Sequence, residues 1–194
     1  MKKLILLASV FALLFTTGCK KNVKEKNEPI TEIEKDEPIV EAVKNAKVRL
    51  TMASKSESSV KGNIVFNQED GKVAMVALLE GLDPGQHAIH LHEKADCSSD
   101  DGKSSGGHWN PTNQPHGKWG DTAGYHKGDI GNFTADDKGM AVVNFSTDEW
   151  CIGCGDANKD ILGKAVIVHQ GVDDFTSQPS GAAGSRVSCG GIIQ

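Results

Sequence analysis

From residue 87 to residue 93 the chain reads His-Ala-Ile-His-Leu-His-Glu, and this short run is its most informative stretch. Residues of a β-strand alternate between its two faces. His90 and His92 would therefore point to one side of a strand, with Ile89 and Leu91 on the other. The apolar side must be buried against a second layer. The histidine side is a candidate metal site, because imidazole is the commonest transition-metal ligand.

Other parts of the chain show the same alternation of polar and apolar residues, in short runs separated by turn residues. This pattern indicates a protein made of strands. The predicted strands lie at 48–52, 63–67, 73–79, 87–92, 140–145 and 164–168. Asp70-Gly71 is typical of a hairpin turn. No stretch from residue 46 onward sustains the 3.6-residue period of an amphipathic helix. The sequence therefore predicts an all-β fold, an antiparallel sandwich or barrel. Two long segments, 97–128 and 170–188, lack strand character, and such loops are usually functional.

Seven side chains with metal-binding chemistry are spread over the strands and the first long segment. They are His90, His92, His108, His116, His126, Asp129 and His169. Asp129, three residues after His126, adds an oxygen ligand to a nitrogen-rich set. Seven ligands exceed the four of one tetrahedral site and suit two sites. The pattern therefore predicts a binuclear metal centre.

The first 18 residues resemble a bacterial lipoprotein signal peptide. Lys2 and Lys3 precede an apolar run at 4–15 that is too short to span a bilayer. The Thr-Thr-Gly before Cys19 resembles a lipoprotein cleavage box, although Thr16 stands where leucine is usual. The alternative is an ordinary signal peptide with Cys19 as a free thiol. We expect residues 1–18 to be removed and Cys19 to carry several acyl chains, which would anchor the protein stably.

Residues 19–45 are expected to form the lipidated cysteine and a disordered linker, because they mix lysine with glutamate and contain no aromatic residue. The remaining domain is 46–194. The formal net charge of −5 and the lack of basic stripes argue against nucleic-acid binding. Four of the five cysteines remain after Cys19. In an oxidising compartment they could form two disulfides, in three different pairings.

Several motifs in fixed order give the domain a resemblance to copper/zinc superoxide dismutases over nearly all of residues 46–194. Besides the run at 87–93, they are Gly-Gly-His-Trp-Asn-Pro at 106–111, His-Lys-Gly-Asp-Ile-Gly-Asn at 126–132, Val-Ile-Val-His at 166–169 and Gly-Ser-Arg-Val-Ser-Cys-Gly at 184–190. The resemblance implies a Greek-key antiparallel β-sandwich or flattened barrel, of immunoglobulin-like architecture, with two long functional loops.

The resemblance also implies one copper and one zinc per subunit. Copper would be bound by His90, His92, His108 and His169, and zinc by His108, His116, His126 and Asp129. His108 would bridge the two metals through its two ring nitrogens. Four imidazoles suit a copper ion that cycles between two oxidation states. Three imidazoles with a carboxylate suit a closed zinc site.

Three further residues take their expected roles from the same motifs. Asp173 would link the outer ring nitrogens of His90 and His116 and so orient both rings. Arg186 would lie beside the open face of the copper site, where a guanidinium can attract and hold a small anion. His87 would be structural, bonding to backbone rather than to metal.

The cysteines of the domain divide into an expected pair and an unexplained one. Cys97 and Cys189 match the disulfide of the family, which would tie the first long loop to the last strand. Cys151 and Cys154 have no counterpart in the family pattern. We expect a local second disulfide there, with reduced thiols and a metal or intermolecular contact as the alternatives. The turn-like residues 155–160 argue against a thioredoxin-like motif.

The implied activity is disproportionation of superoxide anion to oxygen and hydrogen peroxide, with His108 and Arg186 as catalytic residues. The alternative is a non-catalytic copper/zinc-binding protein of the envelope, a buffer or chaperone on the same fold. Arg186 is the only basic residue from His169 to Arg186. Lys118 and Lys127 are the candidates to compensate in attracting the anion.

The signal peptide and Cys19 together imply a cell-envelope protein. We expect a lipid anchor in the outer membrane, facing the periplasm. A homodimer stays open, because no interface can be read from the sequence.

Overall fold

The computed structural model describes residues 45–194, and the predicted signal peptide, Cys19 and nearly all of the linker lie outside the described residues. Within residues 45–194 the elements are β1 (Ala46–Ser54), β2 (Lys61–Glu69), β3 (Lys72–Glu80), β4 (Gly85–His92), a 3-10 turn (Lys103–Ser105), β5 (Gly131–Ala135), β6 (Ala141–Thr147), β7 (Ala165–His169) and β8 (Arg186–Gly191). No helix in this part of the chain is long and apolar enough to cross a membrane.

The eight strands form one antiparallel sheet in the order β5-β4-β7-β8-β1-β2-β3-β6. β1 joins the two halves of the sheet, since it pairs with β2 along most of its length and with β8 at Ala53 and Ser54. The edge strands β5 and β6 approach each other, so the sheet curls into a nearly closed, flattened barrel. The pairing of β3 with β6, across the intervening β4 and β5, is of the Greek-key kind. The predicted all-β fold is confirmed.

The predicted strands all occur, each within two residues of the expected bounds. The hairpin turn at Asp70-Gly71 is also present, and both residues have positive φ (48° and 77°) as a two-residue turn of this kind requires. The strands β5 and β8 were not predicted, because their glycine, serine and asparagine residues hide the alternation. Since β8 begins at Arg186, the second long segment ends at residue 185, and its predicted end at 188 is wrong.

β4 differs from the other long strands because it is buried on both faces. Ile89 and Leu91 are fully buried in the barrel core, together with Phe66 of β2. His90 and His92, on the opposite face of β4, are equally buried, although they lie outside that core. The two long loops cover them, so the fold places a set of imidazoles between the sheet and its loops.

Candidate metal centre

The sheet supplies a first group of histidines from neighbouring strands. β4 pairs with β7, which brings His90 and His92 beside His169 at the end of β7. The pairing of β7 with β8 shifts register between Val168 and His169, and such irregularities re-aim a side chain. The ring centroids of His90 and His169 lie 5.0 Å apart. Three imidazoles thus converge on one side of the sheet.

The first long loop is joined to β4 by backbone hydrogen bonds around one residue, Leu91. Its N–H donates to Gly128 O (2.9 Å), and its carbonyl accepts from Trp109 N–H (2.8 Å). Gly128 N–H donates in turn to Trp109 O (3.0 Å). A Cβ on Gly128 would lie 2.2 Å from Leu91 O, so only glycine permits this approach. His108 precedes Trp109, and His126 lies two residues before Gly128. These bonds therefore hold both histidines over the face of β4 that carries His90 and His92.

Two groups of ligand atoms result, and every residue in them is buried. In each group the ligand atoms lie within 4.8 Å of one another. The first group is His90, His92, His108 and His169, and the second is His108, His116, His126 and Asp129. His108 belongs to both. The structure therefore brings together all seven side chains that the sequence pattern singled out.

The hydrogen bonding of the ring nitrogens shows whether the two groups suit metal ions. Within residues 45–194, six buried ring nitrogens have no hydrogen-bond partner: Nδ1 of His90, His116 and His126, and Nε2 of His92, His108 and His169. A buried polar atom left without a partner costs about 1–3 kcal/mol, so six in one place require an explanation. Metal coordination satisfies such atoms. The four-imidazole group suits copper, and the group with a carboxylate suits zinc.

The opposite ring nitrogens of the first group are held by fixed acceptors. His90 Nε2 lies 2.9 Å from Asp173 Oδ2, and His92 Nδ1 lies 2.9 Å from Gly106 O. His169 Nδ1 makes a longer contact of 3.4 Å with Gly184 O. An acceptor on one ring nitrogen keeps the proton there and leaves the other nitrogen free for a metal.

Asp173 connects the two groups of ligands. Its Oδ1 lies 2.9 Å from His116 Nε2, while its Oδ2 holds His90. Burial would raise the pKa of Asp173, but the hydrogen bonds from His116 and His90 hold it well below its usual range. One ionised carboxylate therefore orients a ring of each group.

Asp129 contacts all three histidines of the second group. Its Oδ1 accepts from His108 Nδ1 at 2.8 Å, and its Oδ2 lies 3.0 Å from His116 Nδ1 without hydrogen-bond geometry. Burial opposes ionisation of Asp129, yet the hydrogen bonds from the His108 ring and the His126 backbone N–H, with the close rings of His116 and His126, hold its pKa far below the usual range. A buried, ionised carboxylate among three imidazoles is a strong cation site.

The imidazoles differ in how readily they take up a proton. Burial lowers the pKa of His108 to about 4, despite the hydrogen bond from its ring to Asp129. Burial, together with the charge of His108, also lowers the pKa of His92 well below its usual value. His116 is the exception: burial lowers its pKa, but Asp129 and Asp173 together raise it to about 9. Burial lowers the pKa of His169 in the same way. The rings of His92, His108 and His169 are thus kept neutral, which is the form that binds metal.

Three positioning residues were missed by the sequence analysis. Gln178 clamps the backbone of His116, donating from Nε2 to its carbonyl and accepting its N–H at Oε1, each at 2.9 Å. Asn132 holds the backbone of Asp173 through two bonds of 2.8 Å. A Cβ on Gly181 would lie 1.8 Å from Asp173 Oδ1. Only Asn132 lay within a quoted motif, and no sequence signal marked the other two.

A cavity of about 570 Å³ opens over the two groups. Its lining includes the rings of His92, His108 and His169, together with Arg186 and Lys103. Arg186 Nη1 donates to Gly102 O (3.0 Å) and to Ser105 Oγ (3.1 Å) on the 3-10 turn. The guanidinium is therefore fixed at the cavity wall, beside the four-imidazole group.

The remaining predicted residues have these positions. Cys97 is disulfide-bonded to Cys189 with a Cα–Cα distance of 5.8 Å, which ties the first loop to β8 three residues beyond Arg186. Cys151 is bonded to Cys154. His87 lies outside both ligand groups, and its ring nitrogens contact the backbone carbonyls of His169 (3.1 Å) and Asp83 (2.8 Å).

Comparison with known proteins gives consistent similarities. The family model described as copper/zinc superoxide dismutase matches residues 60–192. The Aquifex aeolicus (strain VF5) protein named superoxide dismutase (Cu-Zn) 2 is 34% identical over 140 residues, which are 71% of this chain and 81% of the relative.

Solved structures extend the similarity to the fold. The structure of a SOD-like protein from Bacillus subtilis aligns with a TM-score of 0.68 and 28% identity, covering 77% of this chain and 100% of that one. The structure of the clock protein EA4 aligns with a TM-score of 0.65 and 32% identity, covering 77% of this chain and 96% of that one.

The bridging carboxylate generates a prediction. Asp173→Asn replaces one acceptor oxygen by an amide NH₂ facing a ring nitrogen. We expect affinities for copper and zinc to fall about 10- to 100-fold, as is usual when an outer acceptor of a ligand histidine is removed. Competition against a chromophoric chelator measures both affinities. Asp174→Asn is the matched control, because in the described part of the chain its carboxylate bonds only to Thr176 and Ser177. Equal losses in the two variants would contradict the assigned role.

Proposed function

This chain belongs to the copper/zinc superoxide dismutase family, and we propose that it converts superoxide anion to oxygen and hydrogen peroxide at the two ligand groups that share His108. The observation that carries the proposal is the set of six unpartnered ring nitrogens beneath a cavity walled by Arg186. Metal binding alone would not need a cationic side chain fixed at the open side of the four-imidazole group.

The residues of each group define what they would hold. His90, His92, His108 and His169 would bind one copper, and His108, His116, His126 and Asp129 would bind one zinc. Bound copper would supply one-electron redox chemistry, and bound zinc a fixed positive charge beside His108. The ionised Asp129 and Asp173 offset part of that charge within the buried centre.

Arg186 would bind and orient the anion. Its guanidinium is always protonated, and the bonds to Gly102 and Ser105 preorganise it. No other hydrogen bond to its N–H groups occurs among the described residues. These donors lie along the cavity lining, where charge-assisted hydrogen bonds to a small anion can form.

His108 would hold and deliver a proton as well as join the two groups. Its Nε2 belongs to the copper group and borders the cavity, while its Nδ1 contacts Asp129. Because Nε2 has no hydrogen-bond partner among the described residues and borders the cavity, it is the ring nitrogen placed to take up a proton from solvent and pass it to peroxide as it forms.

The solved structure named SOD-like favours a second candidate function. On this reading the chain binds copper and zinc without turnover, as a buffer or chaperone of the envelope. Metal content and superoxide decay distinguish the two candidates. Full occupancy of both sites without superoxide decay would support the second one.

Lys103 would attract the anion to the cavity. It lines the cavity and lies 2.9 Å from Asp101 in an exposed ion pair. Lys118 and Lys127, the candidates from the sequence, do not line it. Lys127 is engaged instead by Glu149. Because Asp101 and Glu93 also line the cavity, Lys103 would offset acidic charge there rather than make the cavity positive.

We also propose that the protein is lipid-anchored in the envelope, in the outer membrane facing the periplasm. The support is the sequence of residues 1–19, with its basic start, short apolar run and cleavage box. The mixed-charge residues that follow would act as a tether between the anchor and the barrel.

Replacement of the anion-binding cation should separate turnover from metal binding. Arg186→Ala should lower kcat/KM for superoxide about 10- to 100-fold, because charge-assisted hydrogen bonds contribute about 1.5–3 kcal/mol. Copper and zinc contents should not change. Arg49→Ala, on the exposed face of β1, removes the same charge elsewhere and should have no effect. Superoxide decay measured by pulse radiolysis, with metal analysis of each variant, tests this expectation.

Lys103→Gln should reduce the rate of superoxide capture about twofold at low ionic strength, the size of a charge interaction across ~10 Å of water. The rate should also depend less on salt concentration. Lys118→Gln is the matched control, because it makes the same change outside the cavity. A loss in Lys118→Gln but not in Lys103→Gln would contradict the assignment.

The anchor is tested with the full chain produced in a bacterium that processes lipoproteins. The protein should incorporate labelled palmitate and sediment with membranes. Cys19→Ala should abolish both, since the acyl chains have no other attachment point. Unlabelled wild-type protein in the soluble fraction would contradict the proposal.

A further inference from the structure

The loop Cys-Ile-Gly-Cys-Gly-Asp at 151–156 lies between β6 and β7, outside both histidine groups. The function proposed above does not use it. Cys151 and Cys154 are bonded there with a Cα–Cα distance of 6.0 Å. Cys154 is exposed and Cys151 half-buried, so a reductant from solution can reach the pair.

Main-chain contacts anchor the first cysteine independently of the disulfide. Cys151 N–H donates to Lys159 O (2.8 Å), and its carbonyl accepts from Ile161 N–H (3.0 Å). Ile152 and Ile161 are buried in the barrel core. The backbone of Cys151 is thus fixed by hydrogen bonds and by packing of the neighbouring side chains.

A carboxylate anchors the second cysteine in a similar way. Asp160 accepts the N–H groups of Gly153 and Gly155, which flank Cys154, at 2.9 Å each. It also accepts Leu162 N–H at 3.0 Å. Reduction of the disulfide breaks none of these bonds. The two sulfurs are therefore expected to stay close together as thiols.

The reduced loop would offer a set of metal ligands. The two sulfurs and a carboxylate oxygen of Asp160 lie within 4.8 Å of one another. Cys-x-x-Cys is a spacing that zinc sites use. Asp156 N–H lies 3.4 Å from Cys154 Sγ, and such a bond favours the thiolate that a metal requires. The adjacent carboxylate of Asp160 attracts a cation.

We propose that reduced Cys151 and Cys154, together with Asp160, form a third metal site, which binds Zn²⁺ and is closed by disulfide formation. A dithiol reductant transfers two electrons and two protons to the Cys151–Cys154 bond, yielding two thiols and its own disulfide. Zn²⁺ then displaces both thiol protons. Zinc is preferred to Cu⁺ because an oxygen ligand suits the harder ion. The exposed side of the loop leaves a fourth position for water.

Cobalt serves as the spectroscopic probe for this site. Full-length protein with its histidine sites loaded with copper and zinc is treated with a phosphine reductant and titrated with Co²⁺. We expect one further equivalent per chain, with the charge-transfer absorption of cobalt–thiolate bonds, and displacement of cobalt by Zn²⁺. The oxidised protein should show none of this absorption.

Two variants make the test decisive. The double variant Cys151→Ser/Cys154→Ser keeps the Cys97–Cys189 pair, and it should lose the extra equivalent and the absorption. Equal absorption in this variant, or no absorption in the reduced wild type, would overturn the proposal. Asp160→Asn keeps an acceptor oxygen but removes the charge, and it should weaken cobalt binding about 10-fold or more. Unchanged affinity in Asp160→Asn would exclude the carboxylate as a ligand.

Discussion

Burial of β4 on both faces is the constraint on which the rest of the structure depends. The side chains of Ile89 and Leu91 drive one face into the barrel core, and this leaves His90 and His92 on the other. A buried imidazole is costly unless both of its nitrogens are satisfied. The long loops therefore have two tasks: they exclude water from β4, and they supply the acceptors and further ligands that the histidines need.

In the resulting centre, protein groups satisfy only part of the hydrogen-bonding capacity of the ligand rings. Backbone carbonyls and the carboxylate of Asp173 hold the outer nitrogens of four ligand rings. On the converging side, where Asp129 also lies, six ring nitrogens have no hydrogen-bond partner among the described residues. Cations at this point would link the sheet to both loops. Since the unfolded chain lacks the preformed site, binding free energy becomes folding free energy. Metal binding would therefore also stabilise the ordered conformation of the loops.

Two basic side chains line the cavity over the histidines, although the chain as a whole is acidic. The chain carries a net charge of −5, yet Arg186 and Lys103 lie along the cavity over the histidines. The Cys97–Cys189 disulfide joins the loop that carries Lys103 to the strand that begins with Arg186. Glu93 and Asp101 line the same cavity and balance these two cations in formal charge. An anion would therefore be held by the fixed donors of Arg186 rather than by a net positive charge of the lining.

Residue type and short-range spacing were enough to predict six of the eight strands of residues 45–194, the turn at Asp70-Gly71 and the identities of the seven candidate ligands. These features depend on the two-residue period of a strand and on ligand chemistry, which are local. Tertiary structure alone decided four other features. They are the hydrogen bonds from Gln178 to the His116 backbone, the space beside Asp173 at Gly181, the position of Lys103 at the cavity, and the hydrogen bonds from the cysteine loop to Asp160. Each depends on segments far apart in the chain that meet only when the loops pack on the barrel, and no local pattern encodes such a meeting.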